Sequence, residues 1–202
     1  MLNLIPRRFL IGGLASACIA VRGVSAADPA GEVESSRGEC YAQTTVARRT
    51  LAPAAEVFVG DTVGTGAQSA LGIHLGTATQ VKLGPEARLR IDRFLVNAGG
   101  VLVLESGGMI YDHDPQSGRS DVTVRGPFGL VAVRDTRFFA GPNNGVFGVF
   151  VERGAVMVVG VNTAVMVTSG LGTDIVRPGA EPTTPHPWGA ARIASAMASV
   201  NQ

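Results

Sequence analysis

The segment Asp112-His113-Asp114 is the one place in the sequence where metal-ligating residue types cluster. Neighbouring residues of a strand point to opposite faces, so only Asp112 and Asp114 could chelate a metal ion together. Two carboxylates would need distant ligands to complete a site, and His74 and His186 are the available histidines. A solvated loop is therefore favoured over a metal site, and no metal or other cofactor is predicted.

Catalytic motifs are absent from the sequence. It contains no nucleophile elbow, no His-Glu-x-x-His zinc motif, no phosphate-binding glycine loop and no Cys-His pairing. Ser69 has no basic residue at a useful spacing, and we interpret it as a hydroxyl at the start of a strand. Paired acids for glycoside cleavage stay an alternative, because β proteins can draw such acids from distant strands, although the 16 acidic residues are spread thinly. No catalytic residue is predicted.

The composition is typical of a folded β domain. Of the 202 residues, 46% are hydrophobic and 16% are charged, which is enough apolar material for one core. The 27 glycines are spread along the chain, as expected for tight turns between short strands rather than for a flexible linker. The formal net charge is +1 and no basic patch is interleaved with aromatic residues, so nucleic acid is not a predicted partner.

Residues 1–26 are predicted to be an export signal peptide. The pair Arg7-Arg8 precedes the apolar run Phe9–Val21, which is too short to span a bilayer comfortably, and small residues favour cleavage after Ala26. The arginine pair and the apolar residues after it resemble a twin-arginine export motif. An ordinary secretory signal and lipid attachment at Cys18 are the alternatives. Each one predicts a periplasmic or secreted protein, and no stable membrane span after processing is expected.

The stretch Val122–Ala140 is central to the predicted β domain. It is expected to form two strands joined at Gly126-Pro127 and a third segment across Arg134-Asp135-Thr136, with Leu130–Val133 apolar on both faces. About a dozen short strands separated by turns predict an all-β domain over residues 56–176. Both a β-solenoid and a β-sandwich fit this pattern.

The segments on either side of the β domain are less regular. Residues 27–55 lack periodicity and are predicted to be a flexible N-terminal segment, in which Cys40 is unpaired or pairs between chains. Residues 177–202 are predicted to form a Pro-rich tail and a short C-terminal helix. Within the β domain, turns are predicted at Gly141–Gly145 and at Arg153-Gly154.

The run Val57–Gly66, with Gly60-Asp61 and Thr65-Gly66, is followed by Leu83-Gly84-Pro85 and by Arg134–Phe138. The order of these motifs between Glu56 and Val176 resembles the FecR domain family. The family shows a V-x-x-G-D-x-x-x-T-G start, an L-G-P strand end, an L-x-x-G turn, a V-R-G-T-x-F segment and a closing V-x-x-G-x-V. Asp135 stands where the family usually has glycine, and aspartate tolerates the left-handed backbone region at modest cost, so the expected turn can survive. The residues that match the motifs are Gly60, Asp61, Thr65, Gly66, Gly84, Gly107, Arg134, Thr136, Phe138 and Gly154.

The resemblance implies a non-enzymatic sensing or interaction module outside the cytoplasm. Known family members include membrane-bound regulators whose periplasmic domain passes a signal from an outer-membrane receptor to a cytoplasmic sigma factor. This chain is expected to have no internal membrane helix and no cytoplasmic segment, so the β domain alone carries over.

The predicted partner is a protein or another component of the cell envelope. Strands that are apolar on both faces would leave an outer apolar stripe, which often marks a partner surface. The residues assigned to this surface are Leu130, Val133, Phe147 and Val149. Two alternatives stay open, namely an enzyme acting on cell-envelope polysaccharide and a structural envelope protein that forms homo-oligomers through its sheet edges.

Overall fold

The computed structural model describes residues 29–95, 99–117 and 121–201. The side chains of Leu95, Leu130 and residues 132–135 are not part of that description. The predicted export signal, with its cleavage after Ala26, also lies outside the described residues. Within them, no helix combines the length and the apolar character that crossing a membrane requires.

The described chain is mostly β and ends in one short helix, as the sequence predicted. The strands are β1 (Pro29–Arg37), β2 (Cys40–Gln43), β3 (Arg48–Thr50), β4 (Glu56–Phe58), β5 (Thr62–Thr65), β6 (Ala70–Leu75), β7 (Thr79–Leu83), β8 (Arg88–Leu95), β9 (Gly99–Ser106), β10 (Met109–His113), β11 (Asp121–Gly126), β12 (Gly129–Asn143), β13 (Val146–Val159), β14 (Ala164–Thr168), β15 (Leu171–Ile175) and β16 (His186–Pro187). A 3-10 helix covers Pro115–Ser117, and the helix α1 covers Ala190–Val200.

The 16 described strands form one hydrogen-bonded network. Its main path runs in the order β3-β2-β5-β8-β9-β11-β12-β10-β7-β6-β1-β4. Strand β13 pairs with β12 and also with β14 and β15, while β16 pairs with β15. Every described pair is antiparallel except β9 with β11, which is parallel. We call β2, β3, β5, β8, β9, β11 and β14 half A of this network. We call β1, β4, β6, β7, β10, β15 and β16 half B.

The long hairpin of β12 and β13 belongs to both halves. Its turn is Asn144-Gly145, with φ of 53° and 79°, the left-handed pair that two-residue hairpin turns prefer. The register of β12 against β13 shifts between Arg134 and Arg137, and Gly154 on the facing strand has φ of 85°. These are β-bulges, which bend both strands at the same level. Before the bulge β12 pairs with β11, and after it with β10.

Two of the predicted turns are wrong for the same reason. The segments Arg134–Thr136 and Arg153-Gly154 are bulges inside continuous strands, because the ladder between β12 and β13 resumes on both sides of them. The predicted turn over Gly141–Gly145 narrows to its last two residues, since Gly141 to Asn143 still pair with β13. The turn at Gly126-Pro127 is placed as predicted, between β11 and β12.

Halves A and B share one hydrophobic core. Alternate residues of each strand point into it, as expected for strands with one buried face. Half A contributes Val63, Leu89, Ile91, Leu102, Leu104, Val122 and Val124. Half B contributes Leu71, Ile73, Leu75, Val81, Leu83, Met109 and Tyr111.

The prediction that residues 27–55 form a flexible segment is wrong for the strands that this segment contains. Strand β1 lies between β4 and β6, and β2 lies between β3 and β5. The buried residues Ala30 and Val33 are three positions apart because β1 changes register between Pro29 and Gly31 and again after Val33. These bulges hide the two-residue alternation by which a strand is recognised in a sequence.

We expect Gly31→Ala to destabilise the protein by about 1–3 kcal/mol, the usual cost of overpacking. A Cβ at this position would overlap the carbonyl of His74 on the neighbouring strand β6, so the two strands would have to separate. Urea unfolding followed by circular dichroism measures the loss. Gly189→Ala is the matched control, because nothing lies within 4 Å of an added Cβ there. Equal stability of the two variants would contradict the placement of β1 inside the sheet.

Candidate functional site

A polar cleft of about 350 Å³ opens beside the end of β10. As predicted from strand alternation, Asp112 and Asp114 both line it, whereas the intervening His113 points inward. The ring Nδ1 of His113 lies 3.0 Å from the hydroxyl of Thr79, which holds the imidazole in the interior. The full lining is His74, Thr77, Ala78, Gln80, Asp112, Asp114, Pro115 and Arg153, drawn from the β6–β7 turn, the end of β10 and the bulge of β13.

The carboxylate of Asp112 is held by two arginines. Its Oδ2 lies 2.6 Å from Nη1 of Arg137, and its Oδ1 lies 2.8 Å from Nη2 of Arg153. Arg137 also pairs with Glu152 at 2.6 Å, and Arg153 donates a second hydrogen bond to the carbonyl of His113 at 2.8 Å. Burial alone would lower the pKa of Arg137, but its hydrogen bonds to Asp112 and Glu152 outweigh that effect and raise the pKa above its usual value.

These contacts determine whether the acidic residues of the cleft are available to bind a metal ion. Both oxygens of Asp112 accept from guanidinium groups, and Asp114 accepts the backbone N–H of Gln116 at 2.9 Å at the start of the 3-10 helix. Among the residues that the structure describes, no group of three or more His, Cys, Asp or Glu side chains is arranged to hold a metal ion. The ring Nε2 of His186, the other histidine considered as a distant ligand, lies 4.0 Å from a carboxylate oxygen of Asp174.

The polar residues of the family motif support the fold. The buried carboxylate of Asp61 accepts the N–H of Phe58 at 2.9 Å and pairs with Arg49. The buried hydroxyl of Thr65 donates to the carbonyl of Gly84 at 2.6 Å and accepts the N–H of Ala87 at 2.9 Å. Each of these side chains satisfies backbone groups at a turn.

The remaining motif residues are placed at turns, at bulges and in the core. Gly60, Gly107 and Gly154 adopt the positive φ that glycine tolerates best. Gly66 bonds through its N–H to the carbonyl of Glu39 at 2.8 Å, and Thr136 and Phe138 are fully buried; the side chain of Arg134 is outside the described residues. The motif therefore encodes the fold rather than a binding surface.

We expect Thr65→Val to cost about 1–3 kcal/mol, because valine keeps the shape but leaves the buried N–H of Ala87 and the carbonyl of Gly84 without their side-chain partner. The measurement is the midpoint of chemical unfolding at constant m-value. Thr50→Val, at an exposed position of β3, removes a hydroxyl at no such cost and is the control. A loss as small as that of the control would show that this hydroxyl does not organise the turn.

The predicted partner surface is wrong in part. Val149 is fully buried and points into the core, so it cannot contact a partner. Phe147 is half-buried and stacks on Phe128, with ring centroids 4.5 Å apart. The side chains of Leu130 and Val133 lie outside the described residues.

An outer apolar stripe does exist, but the chain covers it with its own C-terminal segment. Ile110, Phe139 and Phe150 lie in register across β10, β12 and β13 on the outer face. Trp188 stacks on Phe150 at a centroid distance of 5.4 Å. The apolar side of α1 packs on the same stripe through Ala196 and Val200. Together these side chains form a second apolar cluster, separate from the main core. In the sequence, the helical spacing of Ala and Ile after Trp188 indicated the helix. The prediction did not say which surface of the β domain this helix would cover.

Arg192 of α1 secures this cover. Its guanidinium lies 3.6 Å from the centre of the Trp188 ring and pairs with Asp174 of β15 at 2.6 Å. It also donates to the side-chain carbonyl of Asn143 at 2.9 Å. The helix is therefore attached to the ends of β12 and β15 by charge as well as by apolar packing.

Cys40 is buried in β2 and is the one free cysteine of the described residues. Its Sγ lies 3.4 Å and 3.3 Å from the carbonyls of Arg37 and Ala70. Burial raises the pKa of the thiol. A buried, protonated thiol reacts slowly, so this position disfavours the alternative in which Cys40 pairs between chains.

The fold and the cleft define a β module with an internally paired charge network. Residues 61–157 match the family model described as FecR protein. This match confirms the resemblance to the FecR family seen in the motifs. No curated protein matches the chain.

Two crystal structures of a candidate anti-sigma factor from Parabacteroides distasonis share the fold. The TM-scores are 0.55 and 0.54, each at 14% sequence identity and over 66% of this chain. The matched region spans 63% and 62% of the length of those two chains. At this identity the likeness concerns the fold.

Proposed function

We propose that this chain is a non-enzymatic regulatory module of the FecR family that acts in the periplasm or outside the cell and binds a protein partner. The family match over residues 61–157 and the fold shared with a candidate anti-sigma factor support a regulatory or sensing role. The predicted export signal supports the location. In this proposal halves A and B act as a β-sandwich scaffold that holds the recognition surface.

The observation that carries the proposal is the polar cleft. The side chain of Arg153 is 46% exposed, yet Asp112 and the carbonyl of His113 fix its guanidinium in place. A side chain that is already fixed loses little conformational freedom when it binds, so it can offer its remaining donors to a partner at low entropic cost. Exposed Asp114 lies on the same cleft as Arg153, so both signs of charge are available to a polar protein segment.

The test places a photo-crosslinking amino acid at Thr77, an exposed residue of the cleft, in the full chain expressed in its own cells. Val46, which is exposed in the β2–β3 turn of half A, is the control position. We expect one envelope protein to crosslink from Thr77 and not from Val46. The purified pair should then bind in solution, and Arg153→Glu should weaken that binding by about tenfold or more.

Two outcomes would overturn the proposal. One is equal crosslinking from Thr77 and Val46, which would show that the cleft is not a recognition surface. The other is a partner whose affinity is unchanged by Arg153→Glu. Because the ion pair of Arg153 with Asp112 is partly exposed, the substitution should change the free energy of unfolding by no more than about 1 kcal/mol. A circular dichroism melt of the variant checks this.

A further inference from the structure

Strand β14 is a free edge of the sheet. It pairs with β13 on one side, and no described strand pairs with it on the other. Along the strand the side chains of Ala164, Met166 and Thr168 are exposed, whereas Val165 and Val167 face inward. An open edge of this kind presents unpaired backbone donors and acceptors to any chain that can add a further strand.

Two flanking hydrogen bonds fix which backbone groups face outward. The carbonyl of Thr163 accepts the N–H of Gly160 from the β13 side at 2.8 Å, and the N–H of Ser169 donates to the carbonyl of Gly154 at 3.0 Å. Backbone groups of an antiparallel strand alternate in direction, so the odd-numbered residues bond to β13. The outward-facing N–H and C=O groups belong to Ala164, Met166 and Thr168.

The other free edges of the described sheet are protected in recognisable ways. Strand β3 has three residues and includes Arg48 and Arg49, and β4 has three residues and includes Glu56. Strand β16 has two residues, and one of them is Pro187. Short length, charge and proline are the common devices against edge-to-edge pairing. Strand β14, with five residues and none of these features, lacks such protection.

The sequence around β14 is equally free of charged residues. Residues 154–173 contain no Asp, Glu, Lys or Arg, in a chain in which 16% of the residues are charged. Met166 is 50% exposed and Val161 of the adjoining turn is 69% exposed. The carboxylate of Glu181, at the turn before β14, is occupied by the N–H groups of Asn162 and Thr163 at 2.8 Å and 3.0 Å. The edge is thus neutral and partly apolar along its length.

We propose that β14 is an interface between two copies of this chain, which pair antiparallel about a two-fold axis at Met166. The strand is complementary to itself: this register places Met166 opposite its own copy and Ala164 opposite Thr168. All three outward-facing backbone pairs gain partners on both copies, and no like charges meet. The inference goes beyond the proposed function, because the polar cleft and its partner take no part in this interface.

A single added strand is a small interface, so the dimer should be reversible and should form as the protein concentration rises. Sedimentation velocity of the full exported chain is the first test, and it is expected to show a monomer–dimer equilibrium. Met166→Lys puts two like charges opposite each other on the two-fold axis, and we expect it to weaken the dimer by about tenfold or more. Thr50→Lys adds the same charge at the exposed edge β3 and should dimerise like the wild type.

A second variant keeps the proposal testable if Met166→Lys folds poorly. In Met166→Cys the two new thiols should lie at disulfide distance across the axis, so mild oxidation is expected to give a covalent dimer. Thr50→Cys is the control and should stay monomeric under the same conditions. A wild type that stays monomeric at millimolar concentration would overturn the proposal. So would equal dimerisation of Met166→Lys and wild type, or equal crosslinking of the two cysteine variants.

Discussion

Replacing Trp188 by alanine is expected to lower the free energy of unfolding by about 3–5 kcal/mol, the range for removing a large buried aromatic side chain. The ring is buried against Phe150 and beneath the guanidinium of Arg192. Gly148 and Gly172 line the ring and have no side chain that could fill the cavity. The loss should also uncover the outer apolar stripe.

Chemical unfolding gives the change in stability, and it is followed by the circular dichroism of the backbone because the variant lacks the tryptophan. Binding of a hydrophobic dye reports exposure of the outer apolar stripe. Thr184→Ala, at an exposed position of the same C-terminal segment, is the control and should change neither quantity. If Trp188→Ala were as stable as this control, the C-terminal segment would not be a working part of the fold. The second apolar cluster would then need another cover.

Phe138→Ala is the second substitution with a large expected effect, again about 3–5 kcal/mol. Phe138 is fully buried directly after the bulge of β12, where its ring centroid lies 5.4 Å from that of Tyr111 on the paired strand β10. It is also one of the residues by which the FecR motif is recognised. The result therefore asks whether the motif serves stability or recognition.

The answer comes from measuring stability and partner binding on the same variant. We expect the folded fraction of Phe138→Ala to bind the crosslinked partner with wild-type affinity, since the side chain lies away from solvent. Phe128→Ala, at a half-buried position of the β11–β12 turn, should lose less stability and is the control. A large loss of affinity in folded Phe138→Ala would show instead that the bulge shapes the recognition surface.

Regular strands were predictable from the sequence, and irregular ones were not. Leu71, Ile73 and Leu75 alternate and lie in the core as expected, because an uninterrupted strand with one buried face must alternate. Strand β1 escaped prediction because its bulges place Ala30 and Val33 out of phase. A glycine with positive φ can occur at a turn, where the strand ends, or at a bulge, where the strand bends and continues. The glycine at position 154 therefore did not show whether β13 ends there or continues.

The site was predictable only where it depends on neighbours in sequence. Strand alternation was enough to place Asp112 and Asp114 on the same side of β10. The partners of Asp112 are Arg137 and Arg153, which come from later strands, and no local pattern announces such pairs. The outer apolar stripe was likewise inferred from apolar runs in the sequence. The C-terminal segment turns back and places Trp188 over this stripe, and the spacing of residues does not specify that turn.

The shared hairpin of β12 and β13 has a consequence for the order of folding. Strands β10 and β11 lie in different halves, yet both find their partner on the same strand, β12. Every strand that precedes β12 must therefore wait for residues beyond 129 before the two halves can close over their core. Such long-range pairing is slow to nucleate. We expect the nascent chain to stay open until late in synthesis and then to close in one concerted step.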